Sequence, residues 1–202
     1  MNTRAKVATW LVLLALVAGG VWWVRRPAPV ADGVLFVGDS VTFLTQGALT
    51  RDLSPKHPTY VTGIGFRSTD LLPAFAKEVA NRRLTGQPLR QVALLVGYND
   101  ALRHDVETPS LNNMMALANQ FDCAVWLTLP PFPQRAHDVD RWNTRAKAIA
   151  ASYRHIHVVD TWRQAVMAAL PRSILSKDGV HPNDAGRQRL AQIYENAIAG
   201  TC

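Results

Sequence analysis

The chain has 202 residues, 48% of them hydrophobic and 18% charged, which suits one globular domain with a core and leaves no room for a second. Its formal charge of +7 is concentrated near the start: setting aside Arg4, Lys6, Arg25 and Arg26 leaves 18 of the 22 basic residues against 15 acidic ones. Those 18 are scattered rather than clustered with aromatics, which speaks against a nucleic-acid groove.

Val7 to Val24 is an uncharged, almost wholly apolar run bracketed by basic residues, and it ends in Trp22 and Trp23 beside Arg25. A run of eighteen residues just spans a bilayer, and tryptophans next to arginines favour its interface, so residues 1–26 are expected to form an N-terminal transmembrane anchor. Ala18 and Gly20 keep a cleaved signal peptide open as the alternative, which would leave a secreted domain. Basic residues on both flanks leave the orientation undecided. Residues 27–32, with two prolines, read as a linker, and a domain is expected over 33–202.

Within that domain, Val34 to Val37, Thr59 to Thr62, Val92 to Val96, Ala124 to Leu129 and Ile156 to Val159 read as five strands. Their near-continuous apolar character implies burial on both faces. Helical periods predict helices near 41–53, 69–83, 109–121, 139–153, 162–169 and 184–199, the last capped by Asn183 and Asp184. Alternation of this kind predicts a parallel sheet between two helical layers, with the site beyond the carboxyl ends of the strands.

Three segments at those ends carry chemistry. The first strand runs into Gly38, Asp39 and Ser40, placing a hydroxyl at a helix start whose amides favour negative charge, although the same residues are also common helix caps. The third strand ends in Gly97, Tyr98, Asn99 and Asp100, which supplies an amide donor or simply a turn. Late in the chain, Asp178 precedes His181 by three residues in a Gly- and Pro-containing loop, a spacing that lets a carboxylate hold an imidazole in the tautomer of a general base. Among the other histidines, His57, His137, His155 and His157 have turn, loop or far-edge positions. His104 is the one rival, without a carboxylate placed for it as Asp178 is for His181. Asp160 reads as a helix cap.

Together the segments resemble the SGNH/GDSL hydrolase family, whose blocks run Gly-Asp-Ser, an isolated Gly, Gly-x-Asn-Asp and Asp-x-x-His. Gly65, opening Gly-Phe-Arg-Ser-Thr-Asp-Leu-Leu, stands where the second block belongs. The resemblance implies a three-layer α/β/α, flavodoxin-like domain with Ser40 as nucleophile, His181 as base and Asp178 orienting it. It also implies an oxyanion hole from the Ser40 and Gly65 amides and the Asn99 side chain. Asp39 and Asp100 read first as braces of their turns. Asp39, Tyr98 and Arg103 are candidate substrate contacts, and Pro130 to His137, with Phe132, is expected to overhang the pocket.

Neither a metal-ligand spacing nor a phosphate loop is visible, and the implied chemistry needs no cofactor. Cys123 should open the fourth strand at the edge away from the site, and the closing helix should bring Cys202 to the same edge, so one disulfide is feasible. Two free thiols remain the alternative. The expected function is hydrolysis of an ester on a small-molecule or cell-envelope substrate, with the domain outside the cytoplasm. Acyl transfer to envelope glycans or lipids uses the same residues, and a noncatalytic carbohydrate- or partner-binding domain is the reading from another class. Sequence decides neither the acyl length nor the oligomeric state.

Overall fold

Apolar stretches of four or five residues bounded by turn formers become strands when helices can cover both faces, and this chain supplies five. A computed structural model describes residues 33–132, 134–169 and 173–202. The strands are β1 (Val34–Gly38), β2 (Thr59–Thr62), β3 (Gln91–Leu95), β4 (Cys123–Leu127) and β5 (Ile156–Val159). All neighbouring strands run parallel, in the order β2-β1-β3-β4-β5. β1 and β4 are buried along their whole length, whereas the edge strands β2 and β5 are partly open.

The helices are α1 (Ser40–Asp52), α2 (Ser68–Leu84), α3 (Tyr98–Leu102), α4 (Ser110–Ala118), α5 (Ala136–Ala150), α6 (Thr161–Ala168) and α7 (Asp184–Thr201). Asn183 caps α7 as anticipated, its side-chain oxygen accepting from the Gly186 amide at 3.0 Å. α5 starts three residues earlier than the periodicity suggests, and the Asn-Asp turn after β3 is in fact the short helix α3. Strand β4 ends at Leu127, and of the two residues expected to extend it Thr128 still reaches β5 whereas Leu129 turns to a side chain of α5. Thr128 donates its amide to Val159 O (3.0 Å) and Leu129 donates to the Asn143 side chain (2.9 Å).

With β1 flanked by β2 and β3, the connections diverge between β1 and β3, the switch point at whose carboxyl edge doubly wound sheets hold their ligands. At the opposite edge a disulfide joins Cys123, at the start of β4, to Cys202 beyond α7, with Cα atoms 5.6 Å apart. The anchor and linker expected over residues 1–32 lie outside the described residues. Among the described residues no helix is long and apolar enough to cross a membrane.

Candidate active site

Four turns meet at the carboxyl edge. β1 ends at Gly38, where a Cβ would fall 2.1 Å from Thr42 Oγ1 and 2.8 Å from Leu95 O, so only glycine lets the first turn of α1 sit this close to β3. Asp39 caps α1, its Oδ1 accepting from the Val41 amide at 3.1 Å. Ser40 is the first residue of the helix and is almost buried.

Its hydroxyl lies 2.8 Å from His181 Nε2, and His181 Nδ1 lies 2.6 Å from Asp178 Oδ2. A carboxylate can only accept, so Nδ1 carries the proton and Nε2 is left to accept from Ser40. The second oxygen, Asp178 Oδ1, accepts from the Val180 and His181 amides at 2.9 and 3.0 Å, which orients the carboxylate. Desolvation pushes Asp178 up, but the His181 ring and these two amides outweigh it and hold the carboxyl below its ordinary value. The loop is pinned from both ends. Leu175 and Pro182 form an isolated antiparallel bridge, Ser176 donates its amide to His181 O (2.7 Å), and Gly179 turns with φ +72°.

The turns after β2 and β3 hold each other. Asn99 Nδ2 donates to Phe66 O (3.0 Å), beside Gly65, which sits exposed with φ +75°. Asp100 accepts from the Ser68 amide (3.0 Å) and hydroxyl (2.6 Å), and Ser68 in turn meets Ser110. Burial raises the Asp100 carboxyl in spite of these bonds. One amide hydrogen of Asn99 is therefore spent on the Gly65 turn, and an amide nitrogen carries a second.

Several sequence expectations need correction. Asp39 is fully buried, so it cannot touch substrate. Burial, opposed in part by the Val41 and Tyr98 amides, raises its carboxyl from 3.8 to about 7, and its Oδ2 has no hydrogen-bond partner. Tyr98 is also buried, stacked on Phe132 with centroids 6.1 Å apart and accepting from Trp162 Nε1 at 3.2 Å. These rings are packing, and only Arg103 of the three suggested contacts is exposed. Phe132 is likewise 5% exposed, so this part of the Pro130 to His137 stretch is tucked in rather than overhanging. His104 does have a carboxylate: Asp138 Oδ2 is 2.7 Å from its Nδ1. That partner comes from α5, 34 residues later, and is invisible to local spacing. Asp160 does not cap α6 with its side chain; it accepts from Thr128 Oγ1 (2.7 Å) and Lys147 Nζ (2.8 Å). Among the described residues no group of three His, Cys, Asp or Glu side chains gathers as a metal site would require.

Residues 36–189 match the model of the GDSL-like lipase/acylhydrolase family. The chain belongs to that family. A search of curated proteins finds no match. Among solved structures, GDSL-like folds recur at low identity. A putative acylhydrolase of Bacteroides fragilis aligns with TM-score 0.68 and 20% identity over 88% of this chain and 92% of that one. The C-terminal catalytic domain of peptidoglycan O-acetyltransferase A from Streptococcus pneumoniae aligns with TM-score 0.64 and 16% identity over 84% and 94%. An acetyl xylan esterase from Geobacillus stearothermophilus gives TM-score 0.62 and 19% identity over 85% and 96%. Likeness at this identity carries the α/β fold, and the solved structures that share it include an esterase and a transferase domain.

Proposed function

We propose that the protein is a serine esterase that cleaves carboxylic esters through a covalent acyl-enzyme formed on Ser40. The observation that carries this reading is the unbroken hydrogen-bond chain from Ser40 Oγ through His181 to Asp178. In the first step Ser40 Oγ attacks the acyl carbon as its proton passes to His181 Nε2, and Asp178 stabilises the imidazolium. The tetrahedral oxyanion is met by the Ser40 amide at the start of α1, the Gly65 amide and the second Asn99 amide hydrogen. Each such donor is worth about 3 kcal/mol in the transition state. The carbon–oxygen bond of the ester breaks, and the departing alcohol takes the proton from Nε2. Water, deprotonated by the same nitrogen, then releases the acid and restores Ser40.

If a hydroxyl other than water reaches the acyl-enzyme, the same steps transfer the acyl group. The likeness to a peptidoglycan O-acetyltransferase domain is the observation that keeps this second reading. The disulfide fits an oxidising compartment, and with the apolar segment Val7 to Val24 it supports an anchored enzyme whose domain works outside the cytoplasm on an envelope or small-molecule ester. The noncatalytic reading has less support, because a binding domain has no need to keep a serine, a histidine and a carboxylate in hydrogen-bond register.

The test is p-nitrophenyl ester turnover by the full-length protein and by Ser40→Ala, with and without a polyol acceptor. Turnover lost in the variant and partitioned to acid in the wild type establishes the esterase. Acyl-polyol as the main product moves the assignment to transferase. Equal turnover by both proteins rejects the nucleophile.

A further inference from the structure

In a parallel sheet every strand starts at the same edge, so the residues just before β2, β3, β4 and β5 share the amino edge, opposite Ser40. Basic side chains outnumber acidic ones there. Arg51 at the end of α1 pairs with Asp52 (3.0 Å), and Arg90 pairs with Asp122 (3.4 Å). Lys56 before β2, Arg83 at the end of α2 and Arg154 before β5 have no carboxylate partner among the described residues. The carboxyl edge differs, since Arg67, Arg141, Arg145 and Arg163 each have an acidic partner. A helix end attracts cations, which accounts for Arg83 in the last turn of α2 but not for Lys56 and Arg154, in the short connections before β2 and β5. Next to Arg83 stands Leu84, at 87% the most exposed large hydrophobic side chain among the described residues. A groove lined by Val79, Leu84 and Leu117 opens beside it between α2 and α4.

The connectivity of the chain points to what covers this edge. Gly33 leads into β1 at the same edge, and eight residues, 25–32, separate it from the apolar run Val7 to Val24. Eight residues reach at most about 30 Å, however they are arranged. Resting on the anchored reading of that run, we infer that the amino edge is a docking surface for an anionic lipid bilayer, on which Lys56, Arg83, Arg154 and Leu84 rest while Ser40 faces away from it. The cations run from β2 at one side of the sheet to β5 at the other, about 19 Å at 4.8 Å per strand, which suits a flat charged surface better than a small anion. Each lysine or arginine close to an anionic leaflet is worth about fivefold in association, and a short tether supplies a high effective concentration of that leaflet. β1 rises about 16 Å over its five residues, so Ser40 opens toward water at about that height or more above the lipid. The esters that reach it are carried by soluble molecules or by polymers outside the membrane, not by lipids of the anchoring leaflet.

The experiment reconstitutes the full-length protein into vesicles of phosphatidylcholine, with or without phosphatidylglycerol, that contain a nitroxide-headgroup lipid as quencher. A thiol-reactive fluorophore is attached at Leu84→Cys in one sample and at Ile64→Cys, exposed in the turn after β2, in another; Cys123 and Cys202 are paired, so the added thiol takes the label. The expected result is quenching several-fold stronger at position 84 than at position 64 when phosphatidylglycerol is present. That difference should vanish in phosphatidylcholine alone and in protein carrying Lys56→Glu, Arg83→Glu and Arg154→Glu, whose fold is checked by thermal unfolding. Equal quenching at the two positions, stronger quenching at position 64, or a difference that ignores lipid charge overturns the docking and leaves the anchor standing. Protein that does not float with the vesicles overturns both. Fluorophosphonate labelling of the same samples reports on the esterase independently.

Discussion

Replacing Asp39 by asparagine isolates the cost of keeping a carboxyl under the active site. Asp39 is fully buried, its Oδ1 occupied by the Val41 amide and its Oδ2 unpartnered, with Asp100 and the phenols of Tyr98 and Tyr194 as its titratable neighbours. Its carboxyl is raised from 3.8 to about 7, chiefly by desolvation. A raised acid binds more protons in the folded state than in the unfolded state between those values, so stability falls as pH climbs from about 4 to about 7 and the loss is complete above that. Three pH units at about 1.36 kcal/mol each make this loss on the order of 4 kcal/mol. Asparagine keeps the cap oxygen but cannot ionise, and its NH2 inherits the partnerless position, a pH-independent cost of about 1–3 kcal/mol. The expected outcome is therefore a slope. In urea unfolding of both proteins at pH 4, 6 and 8, the variant gains about 4 kcal/mol on the wild type between the lowest and highest pH, whatever the offset at pH 4. Relief of repulsion on Asp100 acts in the same direction. A stability difference that is flat with pH, or that shifts toward the wild type, rules out a buried Asp39 carboxyl that stays protonated above its ordinary range.

The Cys123–Cys202 bridge closes a loop with a sequence separation of 79, for which chain entropy gives about 4.5 kcal/mol. Reduction should lower Tm by about 10 °C or more, and Cys202→Ser should unfold at the same temperature with and without reductant. At Gly97, where φ is +122° and a Cβ would stand 2.2 Å from Trp142 Nε1, alanine must displace a buried indole that donates to Val96 O at 2.8 Å. Gly97→Ala should cost about 3 kcal/mol or more, and ester turnover should fall with it because Asn99 rides on the same turn; unchanged Tm and turnover would show that the turn is not tightly held.

The sheet was legible because each strand is a short apolar run in a chain that alternates strand and helix, and burial on both faces leaves that pattern unmistakable for β1, β3 and β4. The site was legible to the extent that its parts are local. Asp178 and His181 are three residues apart in the loop that leads into α7, and Asp39 and Ser40 are adjacent where β1 gives way to α1. What sequence missed depends on partners far along the chain. His104 finds Asp138 on another helix, Asp160 is drawn to Thr128 and Lys147 instead of its own helix, and Tyr98 looks like a pocket residue until Phe132 and Trp162 close over it. The short helix α3 escaped because five residues are too few to show a period.

Ser40 is proposed as the nucleophile, activated by His181. Full-length protein is treated with a fluorophosphonate at neutral pH, and the adduct is located by peptide mass mapping in wild type, Ser40→Ala and His181→Ala. The expected result is a single adduct on Ser40 in the wild type, none in Ser40→Ala, and labelling slowed by at least about a hundredfold in His181→Ala, from which the general base is gone. An adduct on another residue, or undiminished labelling without His181, would contradict it.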